Sequence, residues 1–134
     1  TSWVGDAGRA TPASIDGVGT RAAFDTGYGM CADADGNVYV AETGAHKIRK
    51  VTPSGEVTTI AGTGAEGLVD GSARRAQFRT PFQIAFDPCS GSLYVADGGN
   101  RCIRRISPDR ATVSTFLDGA RPPAHARDPR CLWH

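Results

Sequence analysis

The sequence lacks the features that would indicate a membrane protein, a nucleic-acid-binding protein or a structural zinc protein. No apolar run approaches the roughly 20 residues that cross a bilayer, and no signal-like apolar segment begins the chain. Fifteen basic and fourteen acidic residues leave a formal net charge of +1, so bulk attraction to nucleic acid or to an anionic membrane is not expected. The four cysteines include no Cys-x-x-Cys pair, which argues against structural zinc. We therefore assign no membrane span, cofactor or metal ligand, and the cellular compartment stays open.

Helical periodicity is also absent. Apolar residues nowhere recur at i, i+3, i+4 and i+7 over the about ten residues that a helix needs. The sequence has instead short runs rich in Val, Ile, Tyr and Thr, separated by Gly, Asp-Gly and Pro-Ser-Gly turns. Such runs are typical of β-strands, and such turns reverse the chain tightly. The sequence therefore predicts an all-β fold.

Nearly the same sequence occurs twice along the chain. The repeated positions, 54 or 55 residues apart, are Asp16-Gly17 and Asp70-Gly71, Phe24 and Phe78, Tyr39-Val40-Ala41 and Tyr94-Val95-Ala96, and Ile48-Arg49 and Ile103-Arg104. A repeat of this length indicates stacked supersecondary units that share their cores. Each copy has four short apolar runs, so each unit is predicted to be a four-stranded antiparallel meander.

The second run of each copy indicates how the units stack. Residues 38–41 and 93–96 are apolar at every position, whereas a strand with one wet face would alternate apolar and polar residues. Each sheet is therefore expected to be covered on both faces, as in the radial array of a β-propeller. In that arrangement Tyr94 is expected to be buried between two units.

The two copies resemble the NHL repeat. The resemblance rests on an Asp-Gly before a Phe, on GNVYVAE and GSLYVAD, on Ile-Arg-Lys and Ile-Arg-Arg, and on VTTIAG, and it runs from about Trp3 to Gly119. It implies an NHL-type β-propeller with about two four-stranded antiparallel blades. Since the complete family fold usually has six blades, the chain would form a partial ring.

The repeat predicts the following organisation. Residues 1–5 align with the last strand of a unit and are expected to close a preceding blade. Residues 6–62 would form the first NHL blade with a long leading loop, and residues 63–119 the second blade. Residues 120–134, which are rich in Pro and Arg, depart from the repeat and are expected to be a tail or linker.

Two blades do not complete a ring. Six units of about 55 residues would need roughly 330 residues, and the chain has 134. The sequence could therefore be a portion of a longer protein, or three copies could complete one six-bladed ring, or two blades could be stable alone. The first two alternatives would cover the apolar face that two blades leave at each end. The expected partners thus include other blades of the same propeller or other copies of the chain.

Charged residues present in both copies are expected to serve the blade. Glu42 and Arg49, and likewise Asp97 and Arg104, lie across the second hairpin of their units. We predict that they form repeated carboxylate–guanidinium pairs with a structural role.

Residues that differ between the copies are freer to form a site, and they lie mainly in two kinds of loop. The loops between blades and the loops between second and third strands are expected to leave the same rim of the propeller. Loops on a rigid scaffold commonly carry binding residues. The candidates on this predicted rim are Arg9, Arg21, His46, Arg74, Arg75, Arg79 and Arg101.

The resemblance implies a binding or scaffolding module that recognises a protein, peptide or other ligand through these rim loops. A first alternative is a fragment of a propeller enzyme, a peptide-amidating-type lyase or a related hydrolase. Its metal ligands would lie on missing blades, since His46 is the only histidine within the repeats. A second alternative is a structural portion of a large assembly. No catalytic residue is assigned, and nucleic acid is not expected as a partner because aromatic residues, 7% of the chain, lie mostly in strands.

Overall fold

Two antiparallel β-sheets form the protein in the computed structural model, which describes residue 5, residues 13–27 and residues 29–118. The predicted all-β, propeller-type fold is confirmed. The first sheet, blade 1, contains β1 (Gly17–Val18), β2 (Gly29–Ala32), β3 (Val38–Glu42), β4 (Lys47–Val51) and β5 (Glu56–Ala61). The second sheet, blade 2, contains β6 (Gly71–Ser72), β7 (Pro81–Phe86), β8 (Leu93–Asp97), β9 (Cys102–Ile106) and β10 (Thr112–Leu117). Among the described residues no helix is long and apolar enough to span a membrane.

Each blade is a four-stranded meander with a fifth strand that the sequence did not predict. The strand orders are β1-β5-β4-β3-β2 and β6-β10-β9-β8-β7. The added strands β1 and β6 have two residues each and follow the repeated Asp-Gly, with Gly17 opposite Val57 and Gly71 opposite Val113. The loop that leads into each blade thus pairs with the outermost strand and covers part of an otherwise open sheet edge.

The two blades share one hydrophobic core. Tyr39, Ala41 and Ile48 of blade 1 pack in the same cluster as Leu93 and Val95 of blade 2. Alternate residues of β3 therefore face blade 2, and alternate residues of β8 face blade 1. This contact explains why one of the two alternating faces of each central strand is apolar.

The inner strands of the two blades approach each other closely at Gly29. A Cβ atom built on Gly29 would lie 2.6 Å from the Phe82 carbonyl oxygen and 2.6 Å from the Gln83 Cα atom. Both neighbours are backbone atoms, which cannot rotate away. Glycine is therefore required at this position for β2 and β7 to lie side by side.

A polar contact also joins the blades. The Tyr39 hydroxyl donates to Asp33 Oδ2 at 2.8 Å, and the Arg110 guanidinium lies 5.1 Å from the centre of the Tyr39 ring. Burial alone would raise the pKa of Asp33, but hydrogen bonds from Asn37, Tyr39 and backbone N–H groups outweigh it and lower that pKa. Arg110 adopts a left-handed backbone, with φ of 63°, in the turn between β9 and β10. At this point the Arg110 side chain of blade 2 contacts the Tyr39 ring of blade 1.

The expected burial of Tyr94 between blades is wrong for this chain. Tyr94 lies on the far side of blade 2, where it is half-buried and packs edge-on against Phe116 at a ring-centre distance of 4.7 Å. Its equivalent Tyr39 holds the interblade position, with 2% of its surface exposed. The sequence repeat identified the right pair of tyrosines, but it could not indicate which one faces the neighbouring blade.

Several predicted segments lie wholly or partly outside the described residues. Of the predicted closing strand only Gly5 is described, and its N–H donates to the Gly19 carbonyl at 3.1 Å. The whole predicted tail, residues 120–134, and Arg9 fall in ranges that the structure does not describe. The domain boundaries at these places stay predictions.

Replacing Tyr39 tests the interblade core. We expect Tyr39→Ala to lower the free energy of unfolding by about 3 kcal/mol or more, because it empties a buried site between blades. Tyr39→Phe, which keeps the ring and removes only the hydroxyl bond to Asp33, should cost about 1 kcal/mol. Urea unfolding monitored by circular dichroism measures both. Equal losses for the two variants would contradict the burial of the ring between blades.

Candidate functional site

A buried arginine fixes the leading loop of blade 1 to its sheet. Arg49, in β4, is fully buried, and its Nη1 atom donates to Glu42 Oε1 at 2.9 Å. Its Nη2 atom donates to the Ile15 carbonyl at 2.8 Å and to Asp16 Oδ1 at 3.0 Å. The guanidinium also lies 5.0 Å from the centre of the Phe24 ring. One side chain therefore connects two strands of the sheet with the loop that precedes them.

Blade 2 repeats this arrangement with Arg104. Its Nη1 atom donates to Asp97 Oδ2 at 2.8 Å, and its Nη2 atom donates to Asp70 Oδ1 at 2.7 Å. It also bonds the carbonyls of Val69 and Gln77, both at 2.8 Å, which face each other across the small hairpin of the leading loop. Sequence reasoning paired Arg104 with Asp97 and missed Asp70. The repeated Asp-Gly could have indicated it, since both copies carry that acid.

The geometry of the two arginine sites indicates that their role is structural. Glu42 and Asp97 are fully buried, and each accepts further bonds from backbone N–H groups, those of Asp25 and Arg79 respectively. The carboxylates and guanidinium groups are thus paired with each other inside the blades, and of the two guanidinium groups only the Nε atom of Arg49 has no hydrogen-bond partner among the described residues. The predicted pairs Glu42–Arg49 and Asp97–Arg104 are thus in contact inside the blades, away from solvent.

The structure brings together one set of loops at one edge of the two blades, which we call the loop rim. It consists of residues 43–46, 62–67, 79–80 and 98–101, held by backbone and side-chain bonds. Thr43 Oγ1 donates to the Pro81 carbonyl at 2.6 Å, and the Asn100 amide donates to the Gly67 carbonyl at 2.8 Å. The loop rim is therefore continuous across the junction of the blades.

His46 is the residue of the loop rim that spans the junction most directly. Its Nδ1 atom accepts a hydrogen bond from the backbone N–H of Thr80 at 3.0 Å, and its Nε2 atom lies 3.7 Å from Glu66 Oε2. His46 and Thr80 both have left-handed backbones, with φ of 57° and 47°. His46 of blade 1 therefore contacts two parts of the loop that leads into blade 2, and it serves as a connector between the blades.

Arg79 and Arg101 are exposed on the same loop rim. The Gly99 N–H donates to the Arg79 carbonyl at 2.8 Å, and the Arg101 N–H donates to the Gly98 carbonyl at 3.2 Å. Neither guanidinium has a hydrogen-bond or ion-pair partner within the part of the chain that the structure describes. Their backbones are fixed while their charged groups face solvent.

The expectation that all candidate arginines share one rim is wrong for three of them. Arg21 follows Gly19, whose N–H donates to Gly55 in the turn between β4 and β5. Arg74 and Arg75 follow Ala73, whose N–H donates to Ala111 in the turn between β9 and β10. These three exposed arginines lie on the outer edge of the blades, because β1 and β6 carry the leading loops along the outermost strands. Arg9 lies outside the described residues.

The described cysteines have different states. Cys89 is disulfide-bonded, whereas Cys31 and Cys102 are free. Burial raises the pKa of the Cys31 thiol to about 11, against a smaller opposing effect of Arg110, and burial also raises the pKa of Cys102. Among the described residues no group of three or more His, Cys, Asp or Glu side chains is arranged to hold a metal ion.

The repeat also occurs in longer curated proteins. The chain is 35% identical over 113 residues to SUPPRESSOR OF QUENCHING 1 of Arabidopsis thaliana, which covers 81% of the chain and 11% of that protein. It is 35% identical over 105 residues to NHL repeat-containing protein 2 of Bos taurus, covering 76% of the chain and 14% of that protein. The chain thus spans a small part of the length of each relative. No protein-family model matches it.

Solved structures agree with the fold. A protein of unknown function from Bacteroides thetaiotaomicron superimposes with a TM-score of 0.68 at 28% identity, over 84% of this chain and 27% of that one. An auxiliary nutrient binding protein from Bacteroides ovatus superimposes with a TM-score of 0.61 at 25% identity, over 82% and 28%. The nidogen/laminin complex contains a chain that matches with a TM-score of 0.55 at 20% identity, over 70% and 32%.

The chain forms two stacked antiparallel sheets with adjacent inner strands, and these solved structures match that arrangement. The chain is therefore part of a β-propeller. The repeated sequence and its relatives specify the kind of propeller more narrowly. The chain belongs to the NHL-repeat family.

Replacing Arg104 tests the structural role of the buried arginine. We expect Arg104→Met to lower the free energy of unfolding by about 3 to 5 kcal/mol, because it leaves the Asp97 carboxylate buried without its counter-charge. Arg75→Met, the same change on the exposed outer edge, should stay within about 0.5 kcal/mol of the parent protein. Chemical denaturation compares the two variants. A cost for Arg104→Met no larger than that for Arg75→Met would contradict the assigned role.

Cysteine alkylation tests the burial of the two free thiols. At neutral pH we expect iodoacetamide to leave Cys31 and Cys102 unmodified in the folded protein, because both thiols are shielded and their raised pKa keeps them protonated. Both should react after unfolding in urea, as measured by peptide mass spectrometry. Rapid modification of Cys31 in the folded protein would place it outside the interblade core.

Proposed function

We propose that this chain contributes to a binding module and that the loop rim recognises a protein or peptide partner bearing acidic groups. The observation that carries the proposal is the pair of exposed guanidinium groups, Arg79 and Arg101, without partners among the described residues. By contrast, Arg49 in β4 and Arg104 in β9 are each paired with two carboxylates. Arg79 and Arg101 are thus available for a ligand.

The backbone of the loop rim supports this proposal because it holds the two arginines in place. Arg101 follows a 3₁₀ turn at Gly98–Asn100 and has φ of 54°, fixed by its bond to Gly98. The aliphatic part of Arg79 lies against Gly99, where a Cβ atom would be 2.3 Å from the Arg79 Cγ atom. Pre-organised side chains lose less conformational freedom when a ligand binds.

Exposed apolar side chains beside the arginines supply the second element that recognition needs. The Phe82 ring lies against Gly98 and is 44% exposed, and Leu68, next to Gly67 of the loop rim, is 55% exposed. An exposed ion pair alone contributes little to affinity, whereas an apolar anchor beside a bidentate arginine is typical of interface hot spots. A short peptide with acidic residues next to an apolar one fits this chemistry.

The solved structures similar to this chain include both a binding protein and an enzyme. One is an auxiliary nutrient binding protein and another is a putative phosphatase, so the proposal is supported by the loop rim and not by these comparisons. Because the chain spans only part of its relatives, we propose the loop rim of these two blades as one portion of a larger recognition surface.

Peptide selection tests the proposal without a known partner. A random peptide library displayed on phage is selected on the intact chain and on the variant Arg79→Glu/Arg101→Glu. The matched control, Arg74→Glu/Arg75→Glu, changes the same charge on the outer edge. We expect peptides rich in Asp and Glu that bind the parent and the control, and that bind the rim variant at least about tenfold more weakly, since two charge-assisted contacts are lost.

Two results would overturn this function. The first is selection of no peptide whose binding depends on Arg79 and Arg101. The second is an equal loss of binding in the outer-edge control, which would indicate a general effect of net charge. Circular dichroism of both double variants establishes that they remain folded.

A further inference from the structure

Blade 1 carries a negative charge at the position where blade 2 carries Arg79. Asp25 and Arg79 each follow the repeated phenylalanine and are equivalent in the two copies. Their backbones are held in the same way: the Asp25 N–H donates to Glu42 Oε2 at 2.5 Å, and the Arg79 N–H donates to Asp97 Oδ1 at 2.7 Å. Since Glu42 and Asp97 also bind the buried arginines, both positions are fixed to the rigid part of their blades.

A glycine gives each of the two side chains room against a neighbouring turn. A Cβ atom built on Gly44 would lie 2.7 Å from Asp25 Oδ1, and one built on Gly99 would lie 2.3 Å from the Arg79 Cγ atom. The two glycines are themselves equivalent, since each lies in the middle of the 3₁₀ turn after the second strand of the meander. The two blades therefore hold side chains of opposite charge in positions of the same construction.

The carboxylate of Asp25 has little work to do inside the chain. Its Oδ1 atom accepts bonds from the next residue, Thr26, whose N–H lies at 2.7 Å and whose hydroxyl lies at 3.5 Å. Within the ranges that the structure describes, Asp25 has no ion-pair partner and no residue donates to its Oδ2 atom. Asp25 is half-buried, so this oxygen is available to a ligand in a position that the backbone holds fixed.

The charged groups at the junction between the two positions are engaged elsewhere. Lys47 Nζ donates to Ser14 Oγ at 3.5 Å, and Glu66 Oε2 lies 3.7 Å from His46 Nε2. Neither contact involves Asp25. This part of the described surface therefore carries an uncompensated negative charge on blade 1 and uncompensated positive charges on blade 2.

We propose that Asp25 determines specificity for a basic group, so that the bound segment has charges of both signs. A lysine or arginine of the ligand contacts Asp25, and an acidic residue contacts Arg79 and Arg101. The inference rests on the function proposed above and narrows its ligand. A carboxylate with a free oxygen accepts hydrogen bonds from an ammonium or guanidinium group, whereas a uniformly acidic segment would place a like charge beside Asp25.

The opposite charges also determine how the ligand lies. Complementary charges at two places set the register of a bound segment more than they raise its affinity. The acidic part of the segment therefore lies over blade 2 and the basic part over blade 1. A segment with the same charges in the wrong relative positions would satisfy one blade only.

Selection of peptides on a charge-reversed variant tests the role of Asp25. Asp25→Arg gives blade 1 the residue that blade 2 already accommodates beside Gly99, and Asp35→Arg makes the same change in the exposed turn between β2 and β3. A random peptide library displayed on phage is selected on the parent and on both variants. We expect peptides with acidic and basic residues from the parent and from Asp35→Arg, and peptides that keep the acidic residues and lose the basic one from Asp25→Arg.

A double-mutant cycle then tests whether the basic residue contacts Asp25. In a synthetic peptide from the parent selection, the basic residue is replaced by glutamine, and in the protein Asp25→Asn removes the charge. Each single change should weaken binding about three- to tenfold, and the two together should cost no more than one, as measured by fluorescence anisotropy. Replacing the basic residue by glutamate should restore binding to Asp25→Arg. A purely structural role of Asp25 would give neither coupling nor rescue.

The outcomes separate this inference from the function on which it rests. Acidic peptides without an enriched basic residue would overturn the inference and leave the proposed function standing, and so would a basic residue that contributes equally to binding of the parent and of Asp25→Asn. The same shift in selected peptides with Asp35→Arg would also overturn it, because net charge would then be the cause. If no selected peptide depends on Arg79 and Arg101, the proposed function fails and the inference with it. Circular dichroism establishes that each variant is folded, and the nearly isosteric Asp25→Asn replaces Asp25→Arg in the selection if the latter is not.

Discussion

The buried guanidinium groups of Arg49 and Arg104 are the interactions on which the rest of the structure depends. A buried charge is tolerated only when counter-charges and hydrogen-bond acceptors surround it. Here each guanidinium is met by a carboxylate from the sheet, a carboxylate from the leading loop and backbone carbonyls. Satisfying the arginine therefore forces the leading loop into one position along the outer edge, and the same position brings β1 or β6 against the outermost strand.

Because of this constraint, different parts of the protein surface have different roles. The outer edge is fixed by the arginine network, and the junction between blades is fixed by apolar packing and by Tyr39. The loop rim is left to carry side chains that the fold does not need, above all Arg79 and Arg101. The residues proposed for binding at the loop rim are thus separate from the arginine networks and from the apolar core that hold the two blades together.

The sequence was sufficient to predict the fold class from the repeat, the turn residues and the strands that are apolar on both faces. It was also sufficient to pair Glu42 with Arg49 and Asp97 with Arg104. It could not place the leading loops, because β1 and β6 have two residues each and their pairing is long-range. For that reason Arg21, Arg74 and Arg75 were expected on the wrong surface. The wrong expectation for Tyr94 has a similar cause, since equivalent positions in a repeat have similar local patterns and differ only in their neighbours.

Amide hydrogen exchange of Arg104→Met tests most directly whether the buried arginine positions the leading loop. The informative amides are those of Gly67, Val69 and Gln77, which close the small hairpin of the loop, compared with amides of the ladder between β8 and β9. The account predicts that the hairpin amides lose their protection in the variant while the ladder remains protected under native conditions. Unchanged protection of the hairpin would contradict it, because the loop would then hold its place without the guanidinium.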